Sequence, residues 1–313
     1  MSSMPLTQQP ELRRLAPADL EAVVSIDAAA GGRSRRDYFE RRLAAALRDP
    51  AHHLQVAAHD GTHLAGFALA RVLSGEFGQD RPALMLEVIG VEGSRRGRGV
   101  GGRLLAALES QARRQDIREL ATEVSWRQDR MLRFLARSGF DLASPHVLKC
   151  AVQAGARSAE AAAARDRYEA RTMREDDLEA IVRIERRLTG RERHDYMRSR
   201  LAEALGESAV RVSLVAHCED SLAGFAMARM DFGDFGRAEP VAVLDTLGVD
   251  PGFARRGIGA ALLSQLFMNL AALGIDAVET TVAREDFGLL GFLYRAGFGP
   301  SPRLAFTKRL NAS

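Results

Sequence analysis

Two arginine- and glycine-rich turns, 158 positions apart, hold the residues of this chain best suited to chemistry. The first runs Leu86-Glu87-Val88-Ile89-Gly90-Val91, then Arg95-Arg96-Gly97-Arg98-Gly99-Val100-Gly101, then Leu104-Leu105. The second runs Leu244-Asp245-Thr246-Leu247-Gly248-Val249, then Arg255-Arg256-Gly257-Ile258-Gly259, then Leu262-Leu263. An apolar run, a glycine turn and an apolar-periodic helix start make a phosphate cradle. Free N–H groups and the positive end of the helix dipole favour an anion there. Glycines let a ligand approach the backbone, and arginines add charge-assisted hydrogen bonds. The ligand this chemistry fits is a nucleotide-like pyrophosphate.

The elements that must position these turns repeat at the same offset. Asp19-Leu20-Glu21-Ala22 returns as Asp177-Leu178-Glu179-Ala180, Asp37-Tyr38 as Asp195-Tyr196, and Ala65-Gly66-Phe67-Ala68 as Ala223-Gly224-Phe225-Ala226. Gly139-Phe140 returns as Gly297-Phe298. Two long units of one fold explain this, since solenoid repeats are shorter and more numerous. Helical spacing covers Asp19 to Asp27 and Asp37 to Leu47, with counterparts at Asp177 to Glu185 and Asp195 to Leu205. A hairpin follows from Leu54 to Arg71, turning at Asp60-Gly61, and again from Val212 to Met230. The apolar strand, the cradle and a helix come next. Then come a strand (Glu119 to Val124, Ala277 to Val282), a helix ending at Gly139 or Gly297, and a last strand at the sheet edge (His146 to Cys150, Leu304 to Leu310). The fold class is α+β (mixed α/β), with domains at 11–150 and 167–313. The alanine-rich connector, 151–166, has no apolar pattern that demands a core.

Composition narrows the function. The chain has 313 residues, 46% hydrophobic and 27% charged, with a net charge of only +3, which argues against a nucleic-acid partner. Cys150 and Cys218 offer neither a disulfide framework nor a zinc spacing. Among the seven histidines, His52, His53, His59 and His63 cluster at a turn and are expected to be solvated, and no metal site is expected. Met1 to Pro10 lacks a signal-peptide pattern and no run reaches membrane-spanning length, so a cytoplasmic protein without membrane partners is the expectation.

With the loop, the hairpin and the spacing together, nearly the whole chain resembles the GNAT-type N-acetyltransferase superfamily, twice over. That family's signature is Gln/Arg-x-x-Gly-x-Gly/Ala. Arg96, Gly99 and Gly101 match it fully; Gly257 and Gly259 match, but Ala254 stands at the Gln/Arg position. The resemblance implies two tandem domains, each a mixed, mostly antiparallel sheet flanked by helices. It implies transfer of an acetyl group from acetyl-CoA, or another acyl group from its acyl-CoA, to a small-molecule or peptide amine by direct attack in a ternary complex. Ile89 and Val91, with Leu247 and Val249, would meet the pantetheine arm. Amides of Arg96, Gly97, Arg98, Gly99, Val100 and Gly101, and of Arg255, Arg256, Gly257, Ile258 and Gly259, would hold the pyrophosphate. The N–H near Val91 would polarise the thioester carbonyl. Glu87 is the candidate general base and Asp245 its counterpart. Strand alternation puts Glu87 on the side of Ile89 and Val91; the alternative is that it pairs with an arginine. The family's tyrosine, which protonates the leaving thiolate, is replaced by Leu135 and Leu293, and Tyr294 is one helical step away. The acid is therefore unassigned. Tyr38 and Tyr196 border the acceptor side or simply pack. Phe77 and Phe235 are lid or anchor residues. The two halves would form an intrachain pseudo-dimer.

Two rivals stand beside this reading. Gly97, Gly99 and Gly102 spell a dinucleotide fingerprint, with Glu123 at ribose-binding distance, but the second copy has Arg255 and Ala260 instead and too few strands follow. The other rival is a noncatalytic acyl-CoA-binding scaffold, or one catalytic half with a structural second half.

Overall fold

The computed structural model describes residues 10–32, 34–73, 82–153, 159–206, 212–231 and 239–311. The first repeat runs β1 (Glu11–Arg13), α1 (Leu20–Gly31), α2 (Arg36–Arg48), β2 (His53–Asp60), β3 (His63–Leu73), β4 (Ala83–Val91), α3 (Val100–Arg114), β5 (Glu119–Ser125), α4 (Asp129–Arg137), β6 (Asp141–Leu142) and β7 (His146–Ala151). The connector carries α5 (Ala159–Arg167). The second repeat runs β8 (Ala170–Thr172), α6 (Leu178–Thr189), α7 (His194–Gly206), β9 (Leu214–Cys218), β10 (Ser221–Asp231), β11 (Val241–Val249), α8 (Ile258–Ala272), β12 (Ala277–Val282), α9 (Phe287–Arg295), β13 (Gly299–Pro300) and β14 (Arg303–Arg309).

The repeated residues have structural causes. Asp19 accepts the Ala16 N–H at 2.7 Å and both Arg13 Nη groups at 2.8 Å, tying β1 to the start of α1. Asp177 does the same with Arg174 N–H and Arg171. The Gly-Phe of the hairpin is a packing device. A Cβ at Gly66 would sit 3.2 Å from both Val100 and Leu104, so its absence lets α3 settle on the sheet. Phe67, fully buried on the opposite face, fills the room left by Gly90.

Each sheet is covered on both faces. One face of the first carries α1 and α2 through Ile26, Phe39, Phe67, Leu69 and Val88. Its other face carries α3 and α4 through Leu84, Leu86, Leu104, Leu108 and Leu135. The second repeat has the same two layers.

The last strand of each repeat departs from the expected edge position. The strand orders are β1-β2-β3-β4-β5-β14-β6 and β13-β7-β12-β11-β10-β9-β8. Thus β14 lies along β5, from Arg303↔Ser125 to Arg309↔Glu119. In return, β7 lies along β12, from His146↔Val282 to Ala151↔Ala277. Hydrogen bonding therefore crosses the boundaries drawn at 150 and 167. Phe306 and Leu310 enter the first core; Leu148, Cys150 and Val152 enter the second.

Cutting the chain between Gln153 and Ala159 should leave two fragments that elute together and separate only in denaturant. Native mass spectrometry of the cut protein checks this, and free fragments in native buffer would disprove the mutual strand insertion.

Candidate functional site

In each half the two parallel strands pair at only two positions before parting: Leu84↔Leu120 and Met85↔Ala121 in the first, Ala242↔Val278 and Val243↔Glu279 in the second. A threonine closes each apex. The Thr122 hydroxyl donates to the Leu86 carbonyl at 3.0 Å, and Thr280 to Leu244 at 2.9 Å. Beyond the apex the Glu92 N–H donates to Ala65 O on β3 at 3.0 Å. Main-chain groups alternate sides along a strand, so Ile89 and Val91 turn theirs away from β3 and into the wedge. The Asp250 N–H to Ala223 O bond sets the same parity for Leu247 and Val249. An extended chain bearing amides can pair with such an edge as an added strand would.

At the mouth of the first wedge, Gly97 and Gly99 adopt φ 77° and 81°. No described atom lies within 4 Å of where a Cβ would stand at either. The loop is open, and α3 starts immediately after it with unpaired N–H groups. Gly101 lets the first turn of α3 lie against Phe134, whose ring would be 3.2 Å from a Cβ there. Arg96 folds back, its Nε donating to Val91 O at 3.0 Å. Arg95 pairs with Asp60 in the hairpin turn. Arg98 is exposed, and Arg103 lies half-buried on the first turn of α3.

The second loop has the same backbone but is filled. Arg255 stands at φ 62°, a left-handed conformation that costs a non-glycine residue roughly 1–2 kcal/mol. A Cβ at Gly257 would lie 3.5 Å from Ala164 of α5 and 3.8 Å from the ring of Tyr168. The Tyr168 hydroxyl donates to Arg256 O at 2.8 Å. Arg256 itself turns to the Phe253 ring at 5.3 Å and to Glu219 at 3.3 Å. The connector therefore does join a core, through Val152 and Ala164, next to Tyr168 of the second unit. The small side chain of Ala164 lets α5 approach the start of α8.

The predicted side of Glu87 is reversed. Between Leu69↔Val88 and Ala70↔Leu86 the register skips one residue, making Glu87 the extra residue of a β-bulge. Ile89 and Val91 pack toward α3 and α4. Glu87 points to the α1–α2 layer, where Arg42 binds Oε2 and Arg71 Nε lies 3.2 Å from Oε1. Asp245 sits in the equivalent bulge, 3.3 Å from Arg229. Both Glu87 oxygens thus face guanidinium groups, which favour its charged form and oppose uptake of a proton.

Glu123, which spacing offered only to the dinucleotide rival, lies one position past Thr122 on β5. Its carboxylate accepts from the Thr281 hydroxyl at 2.6 Å, with Arg303 of β14 at 3.5 Å. Residue 281 is the repeat mate of 123, so the pseudo-two-fold axis passes here. Only the paired strands reveal it. Leu135 and Leu293 are fully buried, while Tyr294 is about half exposed. Tyr38 and Tyr196 belong to the cores. Phe77 and Phe235 lie outside the described residues.

The Acetyltransferase (GNAT) family model matches residues 20–140 and 178–298. No curated protein matches the chain. A tandem GNAT protein from the clavulanic acid biosynthesis pathway shares the fold at 19% identity and TM-score 0.64, over 97% of this chain and 99% of that one. A GCN5-related N-acetyltransferase from Sphaerobacter thermophilus does so at 18% identity and TM-score 0.60, over 96% and 95%. A glucosamine N-acetyltransferase region of a fungal multi-domain β-N-acetylglucosaminidase aligns at 15% identity and TM-score 0.66, over 95% of this chain but only 38% of that protein.

The histidine cluster is not uniformly solvated. His59 is buried 3.4 Å from Asp19. Burial, then the nearby Arg42 and Arg71, push His53 down to about 3. Arg42 can only donate, so His53 Nδ1 accepts from it at 2.6 Å and the ring proton sits on Nε2. Between its ordinary value of 6.5 and about 3, the unfolded chain binds a proton at His53 that the folded chain refuses. Stability at this residue is complete above pH 6.5 and falls as pH drops toward 3. Asp19 and Asp177 act lower: burial raises them, but their arginine and N–H partners prevail and hold both below the ordinary carboxylate range. Urea unfolding at pH 7.5 and 5.0 should therefore show a loss at the lower pH that His53→Gln reduces. An unchanged pH dependence in that variant would remove His53 as its source.

Proposed function

Because this chain belongs to the GNAT acetyltransferase family through both of its halves, we propose that it transfers an acetyl group from acetyl-CoA to an amine within a ternary complex, and that the first half does the work. The observation that carries this choice is the contrast between the open loop at Gly97 and Gly99 and the loop at Gly257 filled by Ala164 and Tyr168.

In this reading the coenzyme supplies an activated thioester, and the chain supplies position and fixed dipoles. The N–H groups of Ile89 and Val91 hold the pantetheine arm, and that of Val91 also serves the thioester carbonyl. Amides from Arg96 to Gly101 hold the pyrophosphate, and Arg98 and Arg103 add positive charge beside it. The second half, with Ala254 in place of the signature arginine and its cradle closed, acts as a fused partner. Glu87 holds Arg42 and Arg71 in place from its bulge; as the amine nitrogen bonds the acetyl carbon its proton passes to water, and the carbon–sulfur bond breaks to release CoA as a thiolate or with a proton from water.

The scaffold reading keeps one specific support, the buried Leu135 where the family often has an acid. Intact coenzyme binding with no thiol release across a broad amine panel would favour it.

Native mass spectrometry with acetyl-CoA should find one molecule per chain; two would overturn the assignment of a single working half. Gly99→Glu puts a carboxylate where the diphosphate belongs and should weaken binding about 100-fold or more, whereas Arg256→Ala should leave affinity unchanged. Glu87→Gln should raise the acceptor KM while the acidic limb of the pH–kcat profile persists. Disappearance of that limb would return Glu87 to the role of base.

A further inference from the structure

The open loop of the first half, residues 92–99, spells Glu-Gly-Ser-Arg-Arg-Gly-Arg-Gly. A chain this rich in glycine loses much conformational freedom when it takes one shape, so side chains must fix it. Among the described residues, two side-chain contacts join it to the sheet. Arg95 Nη2 pairs with Asp60 Oδ2 at the turn between β2 and β3. Arg96 Nε donates to Val91 O at 3.0 Å, tying the loop back to the end of β4. The second loop, residues 250–257, has Cys218 and Phe253 at the repeat positions of Asp60 and Arg95, and Ala254 at that of Arg96. Neither brace can form there. Pro251 and the Asp250 carboxylate, which accepts the Gly252 N–H at 2.9 Å, stiffen that loop instead, and Tyr168 covers it.

We propose that Asp60, Arg95 and Arg96 are positioning residues for coenzyme binding. Their side chains hold the loop from behind in its ligand-binding shape and do not touch the diphosphate. The proposal rests on the first half being the acetyl-transferring half and divides the labour among its arginines: Arg98 and Arg103 bring charge to the ligand, while Arg95 and Arg96 hold the backbone that receives it.

Three observations support it. The braces run from neighbouring residues to different strands, the hairpin turn and the end of β4, so together they fix the orientation of the loop as well as its place. A carboxylate one arginine's length from an anion cradle opposes the ligand by charge alone; holding Arg95 accounts for Asp60 being there. Both braces occur on the loop that is open at Gly97 and Gly99, and both are missing from the loop that Tyr168 covers. A loop ordered before the ligand arrives also spares binding the cost of ordering it.

The test titrates CoA calorimetrically into the whole chain at several salt concentrations. Charge alone predicts that Asp60→Asn, which removes a negative group beside the cradle, tightens binding; bracing predicts that it weakens binding. The expected loss is about three- to fivefold, the scale of a partly exposed ion pair, and Asp60→Glu, which keeps the charge, should recover most of it. Arg96→Met keeps an apolar stem without the donor. It should weaken binding about tenfold while the slope of affinity against salt stays as in wild type, whereas Arg98→Met should flatten that slope. Thermal unfolding of all four variants should stay near wild type. Equal or tighter binding by Asp60→Asn overturns the proposal, and so does a slope that Arg96→Met flattens as far as Arg98→Met does. Failure of the wild-type chain to bind CoA is a separate outcome that removes the acetyl-transfer reading and this proposal with it.

Discussion

The exchange of final strands governs the rest of the molecule. With β14 between β5 and β6, and β7 between β12 and β13, neither sheet is complete without the other repeat. The exchange holds β5 and β12 close enough for Glu123 to meet Thr281, its own repeat mate. It also fixes α7 against the first half, so that Arg200 and Arg71 border one cavity. A hinge between two closed domains would leave that geometry to chance. Two interleaved sheets make it part of the fold.

On this symmetric frame the two cradles have diverged by a few residues. Both keep a glycine N-cap in the left-handed region, Gly99 and Gly257. Around the first, the glycines and the exposed Arg98 leave the loop open among the described residues. Around the second, Ala254 and Arg255 replace Arg96 and Gly97, and the connector lays Ala164 and Tyr168 over the helix start. A tyrosine hydroxyl on a loop carbonyl is a neutral contact. It satisfies one loop carbonyl and holds the Tyr168 side chain at the start of α8.

Charge is handled by pairing throughout. Glu87 with Arg42 and Arg71, Asp27 with Arg35, and Glu185 with Arg193 are all largely buried. Leaving one such charge without its partner costs several kcal/mol, about 3–5 in typical cases. Such pairs hold side chains at set positions rather than adding much net stability. For the site, the consequence is that the Glu87 carboxylate and the arginines around it act as one unit, and Arg71 carries that unit to the cavity wall.

The sequence by itself determined what depends on local rules and on repetition. Two units, the order of helices and strands, a glycine turn before a helix in each unit and the family were all legible, because periodicity, turn residues and the Gly-x-Gly spacing are properties of short segments. Tertiary structure decided the rest. His146–Ala151 and Arg303–Arg309 have the same strand pattern whichever sheet they join, since any strand edge offers the same N–H and C=O groups. The bulge that turns Glu87 toward arginines depends on register with β3, which no local pattern specifies. The docking of Tyr168 at Gly257 was hidden for the same reason: a tyrosine after an alanine run says nothing of its partner until the chain folds and one helix start, of two nearly identical ones, proves to be covered.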